Sequence, residues 1–83
     1  MKVNVKYFAS IRESVGAGSE QLDTRCATLG ALRDELIARG GSHAQSLARG
    51  RAVRVALNQV MSAEDAALSE GCEVAFFPPV TGG

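Results

Sequence analysis

The chain closes on Phe76-Phe77-Pro78-Pro79-Val80-Thr81-Gly82-Gly83, and the Pro-Pro step limits how far a folded body can extend. Proline fixes φ at about −65° and pushes the residue before it toward extended conformations. The folded body therefore has to finish near Phe77, on an extended segment. From Phe77 to Val80 the chain should leave as a stiff stalk. Gly82 and Gly83 carry no Cβ, so the tip is thin enough to follow a narrow channel. The segment from Pro78 to Gly83 reaches roughly 20 Å at ~3.3 Å per residue, enough to enter another protein's active site. The plain alternative is a frayed chain end. A strand, a Pro-Pro stalk and a Gly-Gly tip in that order instead point to a terminal carboxylate as the working group. We expect residues 1–77 to form one domain and 78–83 an extended tail.

A chain of 83 residues is one domain, and it buries only about 60% of its unfolded surface. That leaves little room for an enclosed substrate pocket and favours a carrier or binding module. Nine Lys+Arg balance nine Asp+Glu, and their spread gives no electrostatic footprint for nucleic acid. There is no apolar run of spanning length, and Met1 to Lys6 lacks the apolar core of a signal peptide. No membrane association and a cytoplasmic location are expected. Cys26 and Cys72 have no Cys-x-x-Cys or Cys/His companions, so no metal is expected. They read as small apolar residues, with a redox or sulfur-relay role as the alternative. His43 reads as a surface residue near a helix start. Gly16, Gly18, Gly40 and Gly41 read as turn and cap residues, not as a phosphate-binding loop.

Val3, Val5 and Tyr7 alternate with Lys2, Asn4 and Lys6, which predicts a first strand with one buried face. Ala9 to Val15 reads as a short helix or turn, broken by Gly16-Ala17-Gly18. Ser19 to Asp23 is a candidate second strand. Thr28 is a candidate N-cap, and Leu29, Leu32, Leu36 and Ile37 follow at helical spacing. Gly40-Gly41 stops that helix. Ser42 with Gln45 fits a capping box opening a short helix through Leu47. Val53, Val55 and Leu57 alternate with Arg54 and Ala56 in another strand. Asn58-Gln59 reads as a turn, Val60-Met61 as a brief strand, and Ala63 to Leu68 as a short helical or turn segment. Glu73 to Phe77 is the final strand. The order β-β-α-β-β, with one main helix crossing a mixed sheet, predicts an α+β fold of the β-grasp, or ubiquitin-like, kind. Its first and last strands lie side by side in the centre, and an extended tail follows.

The same alternation places Phe8 and Phe77 on the sheet face away from the helix. Met61, just past the Asn-Gln turn, joins them. Contiguous exposed apolar patches on small proteins mark interaction sites, and aromatics and methionine are enriched at interface cores. Phe8, Met61 and Phe77 are therefore expected to form a docking surface, with Arg12 as a rim charge. The alternative is that they cap the edge of a small core.

Val5-Lys6-Tyr7-Phe8-Ala9, Ile11-Arg12-Glu13, Ala56-Leu57-Asn58-Gln59 and the run from Gly71 to Gly83 resemble the small subunits of molybdopterin synthase. That is a family of ubiquitin-like sulfur carriers. From Ser19 to Arg51 the match is one of pattern. A terminal Gly-Gly is shared by thiamine-pathway carriers and by ubiquitin. The full Phe-Phe-Pro-Pro-Val-Thr-Gly-Gly ending is far more specific to the molybdopterin branch. The resemblance implies that an E1-like adenylyltransferase uses ATP to activate the carboxylate of Gly83. Sulfur from a persulfide donor then leaves a thiocarboxylate, a 1-thioglycine at Gly83. The tail, Pro78, Pro79, Val80, Thr81 and Gly82 leading to Gly83, enters the large synthase subunit. That subunit transfers the sulfur to cyclic pyranopterin monophosphate within a heterotetramer. On this reading the chain is the non-catalytic sulfur donor and binds no cofactor itself. The alternatives are a sulfur carrier for thiamine or tRNA thiolation, a protein modifier forming isopeptide bonds, and an interaction module with an inert tail.

Overall fold

The computed structural model describes residues 1–79. The sequence-derived placements of Val80, Thr81, Gly82 and Gly83 lie outside the described residues. The elements are β1 (Lys2–Tyr7), α1 (Ala9–Val15), β2 (Ser19–Asp23), α2 (Leu29–Ala38), α3 (Gly41–Leu47), β3 (Arg54–Leu57), β4 (Val60–Met61) and β5 (Glu73–Phe77). Among the described residues the strands form one mixed sheet in the order β2-β1-β5-β3-β4. β1 and β5 run parallel at its centre, with Val5 opposite Val74 and Tyr7 opposite Phe76. β5 is also paired antiparallel to β3, Val55 facing Phe76 and Arg54 facing Phe77. The expected β-grasp arrangement is present, with the last strand bonded on both sides.

Alternation in the sequence becomes burial in the fold. Val3, Val5 and Tyr7 of β1, Leu22 of β2, Val55 of β3 and Val74 and Phe76 of β5 turn one face inward. Leu29, Leu32 and Leu36 of α2 lie over that face, and Ile11, Leu47 and Cys72 close the core. The Thr28 hydroxyl accepts the Ala31 N–H at 3.2 Å and caps α2, as the sequence predicts. Gly16 ends α1 at φ 85° and returns its N–H to the Arg12 carbonyl. Asn58 and Gln59 both have positive φ, 50° and 68°, the two-residue turn whose twist suits a hairpin.

Several expectations are corrected. α3 begins at Gly41 behind Gly40, with no side-chain cap, so the Ser42–Gln45 capping box does not form. Gly40 and Gly41 both hold positive φ, and that backbone choice sets the helix start ahead of Ser42. β3 begins at Arg54 rather than Val53. Ala63 to Leu68 is a turn segment, joined to the chain before α2 by a bridge between Ala67 and Thr28. Ala56, expected on a polar face, is buried, as is its partner Ala75.

His43 is a further correction, because it is half-buried rather than a free surface residue. Its Nε2 lies 3.0 Å from Glu20 Oε2, and its ring meets Tyr7 edge-on at 5.8 Å. Glu20 also accepts from the Tyr7 hydroxyl at 2.7 Å and from Arg39 at 2.8 Å. Partial burial pushes the Glu20 carboxyl up. The hydrogen bonds from Arg39, His43 and Tyr7 outweigh that and hold it at about 2. The Tyr7 hydroxyl is raised above its ordinary value, by burial first and by Glu20 second. This cluster ties edge strand β2 to the junction of α2 and α3.

Candidate docking site at the end of the last strand

Opposite residues on paired strands share a face of the sheet. Phe77 therefore shares its face with Arg54, and Ala75 shares it with Lys6, Ala56 and Met61 through successive pairings. None of the helices α1 to α3 contributes to this row. The two alanines at its centre are buried. Met61 is 55% exposed at one edge. Lys6 and Glu73 pair at 3.2 Å toward the start of β5. The face thus carries Phe77 with Arg54 beside it near the chain's exit and the Lys6–Glu73 ion pair at the opposite end.

Phe8 sits at the junction between β1 and α1. Its N–H extends the central ladder to the Phe76 carbonyl at 3.1 Å. Its own carbonyl accepts from Ile11 and Arg12, so the residue that ends the strand also opens the helix. Ala9 follows at φ 51°, a left-handed conformation that costs a non-glycine residue roughly 1–2 kcal/mol. This turn leaves Phe8 45% exposed. Its ring meets Phe77 edge-on, with centroids 6.3 Å apart and planes at 87°, the geometry aromatic pairs prefer. Pro78 and Pro79 follow directly and are half-buried.

The structure brings Phe8 and Phe77 into contact and sets Met61 on the face Phe77 occupies. Arg12 stands one helical turn beyond Phe8. A side-chain carbon at Gly18 would come within 3.2 Å of its guanidinium, so the arginine lies over that glycine. Arg54, directly opposite Phe77, was missed by sequence reasoning. The signal was present, since Arg54 alternates with buried Val55. Val60, 65% exposed beside Met61, was also missed. Neither Arg12 nor Arg54 has an ion pair among the described residues, whereas Arg33, Arg39 and Arg49 each bond a carboxylate. An aromatic pair flanked by uncompensated cations suits a partner surface that is apolar at its centre and acidic at its rim.

Cys72 is buried and Cys26 half-buried, both free thiols. No group of three or more metal-ligating side chains occurs among the described residues. None of their helices is long and apolar enough to cross a membrane.

Fold and site together define a ubiquitin-like β-grasp domain whose last strand runs into Pro78-Pro79 beside the Phe8–Phe77 ring pair. The chain belongs to the ThiS family, whose model matches residues 5–83. It is 42% identical over 81 residues to a molybdopterin synthase sulfur carrier subunit from Haemophilus influenzae, covering 98% of this chain and 99% of that one. It is 40% identical, with the same coverage, to the protein of that name from Escherichia coli. Among solved structures, SAMP1 from Haloferax volcanii superposes with a TM-score of 0.78 at 28% identity, covering all of both chains.

Proposed function

We propose that this protein is a sulfur carrier subunit of molybdopterin synthase, with the sulfur held as a thiocarboxylate on Gly83. The near-full-length identity to two proteins of that name carries the reading. The geometry supports it through a centrally anchored β5 that runs straight into Pro78-Pro79 beside Phe8 and Phe77. Residues 1–77 serve as the docking body, and 78–83 as the part that enters partner active sites.

The chemistry explains the division of labour. A free carboxylate is a poor electrophile, because its leaving group would be oxide. An E1-like adenylyltransferase supplies a better leaving group by transferring AMP from ATP to the Gly83 carboxylate. The outer sulfur of a persulfide donor then displaces AMP and gives an acyl disulfide. A thiol cleaves its S–S bond, leaving the thiocarboxylate on Gly83 and the thiol joined to the donor as a disulfide. The large synthase subunit accepts the tail and passes the sulfur to cyclic pyranopterin monophosphate in a cytoplasmic heterotetramer. Phe8, Met61 and Phe77 form the apolar centre of the shared docking face, with Arg12 at its rim. Gly82, Thr81, Val80, Pro79 and Pro78 line up behind Gly83 in the partner's channel.

Intact-mass measurement of the chain isolated from its own cells, with cysteines blocked, tests this. A gain equal to one oxygen-to-sulfur exchange on the Gly83 peptide is expected. Likeness to SAMP1, a small archaeal modifier protein, favours a second reading, in which Gly83 forms isopeptide bonds. Unmodified chain accompanied by species joined through Gly83 to lysines would select that reading over sulfur transfer.

A further inference from the structure

The charges of this chain are not shared evenly between its two ends. β1 and β5 run parallel, so the sheet has one end where both strands begin and one where Pro78 follows Phe77. Arg54 stands opposite Phe77 at that exit end. Arg12 follows Phe8 on α1, with its guanidinium over Gly18. Arg51 and Pro78 line one depression beside α1 and α3. The Arg51 guanidinium is steadied by the Gln45 carbonyl at 2.9 Å, a contact that leaves its charge uncompensated. All three arginines are exposed. Among the described residues none of them has an ion pair.

Most of the carboxylates are engaged elsewhere. Asp23 pairs with the Met1 ammonium and Glu73 with Lys6. Glu20 bonds Arg39 and His43, and Glu64 bonds Arg33 and Arg49. Glu70 accepts from the Lys2 N–H, at the end where the strands begin. Glu13 adjoins Arg12 on α1 and offsets one charge. A chain whose basic and acidic residues balance thus carries an excess of positive charge around one exposed aromatic pair.

Charges that meet across an interface are arranged to complement one another, and like charges brought together cost affinity. A partner covering Phe8 and Phe77 therefore has to bring carboxylates to the surrounding guanidiniums. Three arginines interrupted by Glu13 make no continuous track for a phosphate backbone, so nucleic acid fits less well. We propose that the exit end docks an acidic protein segment, with apolar side chains against Phe8 and Phe77 and carboxylates on Arg12, Arg51 and Arg54. The proposal deepens the docking-face reading and rests on it. It does not rest on what Gly83 carries.

The test is an amide-resolved NMR titration of the labelled full chain at low ionic strength, where exposed charges are least screened. The probes are a short peptide of leucines flanked by glutamates, the same peptide with lysines for the glutamates, and a single-stranded oligonucleotide of equal charge. The glutamate peptide should give saturable shifts at Phe8, Arg12, Arg51, Arg54 and Phe77, and the lysine peptide none there. Arg51→Gln combined with Arg54→Gln should weaken binding roughly fivefold, the size of two exposed ion pairs. Arg25→Gln removes an exposed cation beyond the far end of β2 and should leave affinity unchanged. The remaining amide spectrum reports whether each variant is folded. Charge-selected binding that survives Phe77→Ala would remove the aromatic anchor, and with it the docking-face reading, while leaving the arginines' choice of an acidic segment in place. Equal response to the two peptides, unchanged affinity in the double variant, an equal loss in Arg25→Gln, or tighter binding of the oligonucleotide would overturn the proposal.

Discussion

Phe77 ends β5 with its ring against Phe8 and with Arg54 across the strand pair. It lies outside the buried core cluster, so Phe77→Ala should leave the fold intact. Its affinity for the large synthase subunit should fall by a hot-spot amount of about 2 kcal/mol, read by calorimetry. Arg33 is the opposite case. It is 4% exposed and donates to the Leu47 and Ala48 carbonyls at 2.7 and 2.8 Å and to Glu64 at 2.9 Å. Arg33→Leu should cost roughly 3 kcal/mol in urea unfolding, because buried acceptors lose their donor. The aromatic pair was legible in the sequence, since period-2 alternation assigns each phenylalanine a face. Arg33 was not read, although its spacing from Leu29 and Leu36 puts it on the apolar side of α2. An arginine in such a position ordinarily carries its charge out to water. Here the carbonyls at the end of α3 meet it inside, and helical periodicity contains no trace of where another helix ends.

At the scale of elements, β2 is held through Glu20. Its folded carboxyl sits at about 2, below the ordinary value it regains on unfolding. A depressed carboxyl stabilises the fold above its unfolded value and loses that contribution as pH falls toward the folded one. Melting temperature should therefore drop between pH 4.5 and pH 2, and Glu20→Gln should flatten that part of the curve. The β3–β4 turn offers a gain instead. Gln59 occupies φ 68°, and Gln59→Gly should raise stability by about 1 kcal/mol by removing that strain, visible as a higher urea midpoint. The strands were legible because one face of each is buried. The start of α3 was not, because positive φ at Gly40 and Gly41 outweighed a side-chain capping pattern with equal claim in the sequence.

For the whole molecule, body and tail should respond independently. Gly82→Val adds bulk beyond the Pro-Pro step, next to the Gly83 carboxylate. Its thermal unfolding should match the parent's, while thiocarboxylate formation by the adenylyltransferase and sulfur donor should fall to background in intact-mass assays. A variant that unfolds would assign the tip a structural part. A variant charged at the normal rate would remove the narrow-channel argument.

The parallel pairing of β1 with β5 has a mechanical side as well. A partner that grips the C-terminal segment pulls along the axis of a strand bonded to a neighbour on either edge. The load falls in shear on those hydrogen bonds together, so they do not peel open singly from one end. On the proposed sulfur-carrier role, the body would then act as a rigid handle for partners that hold the segment beyond Pro79.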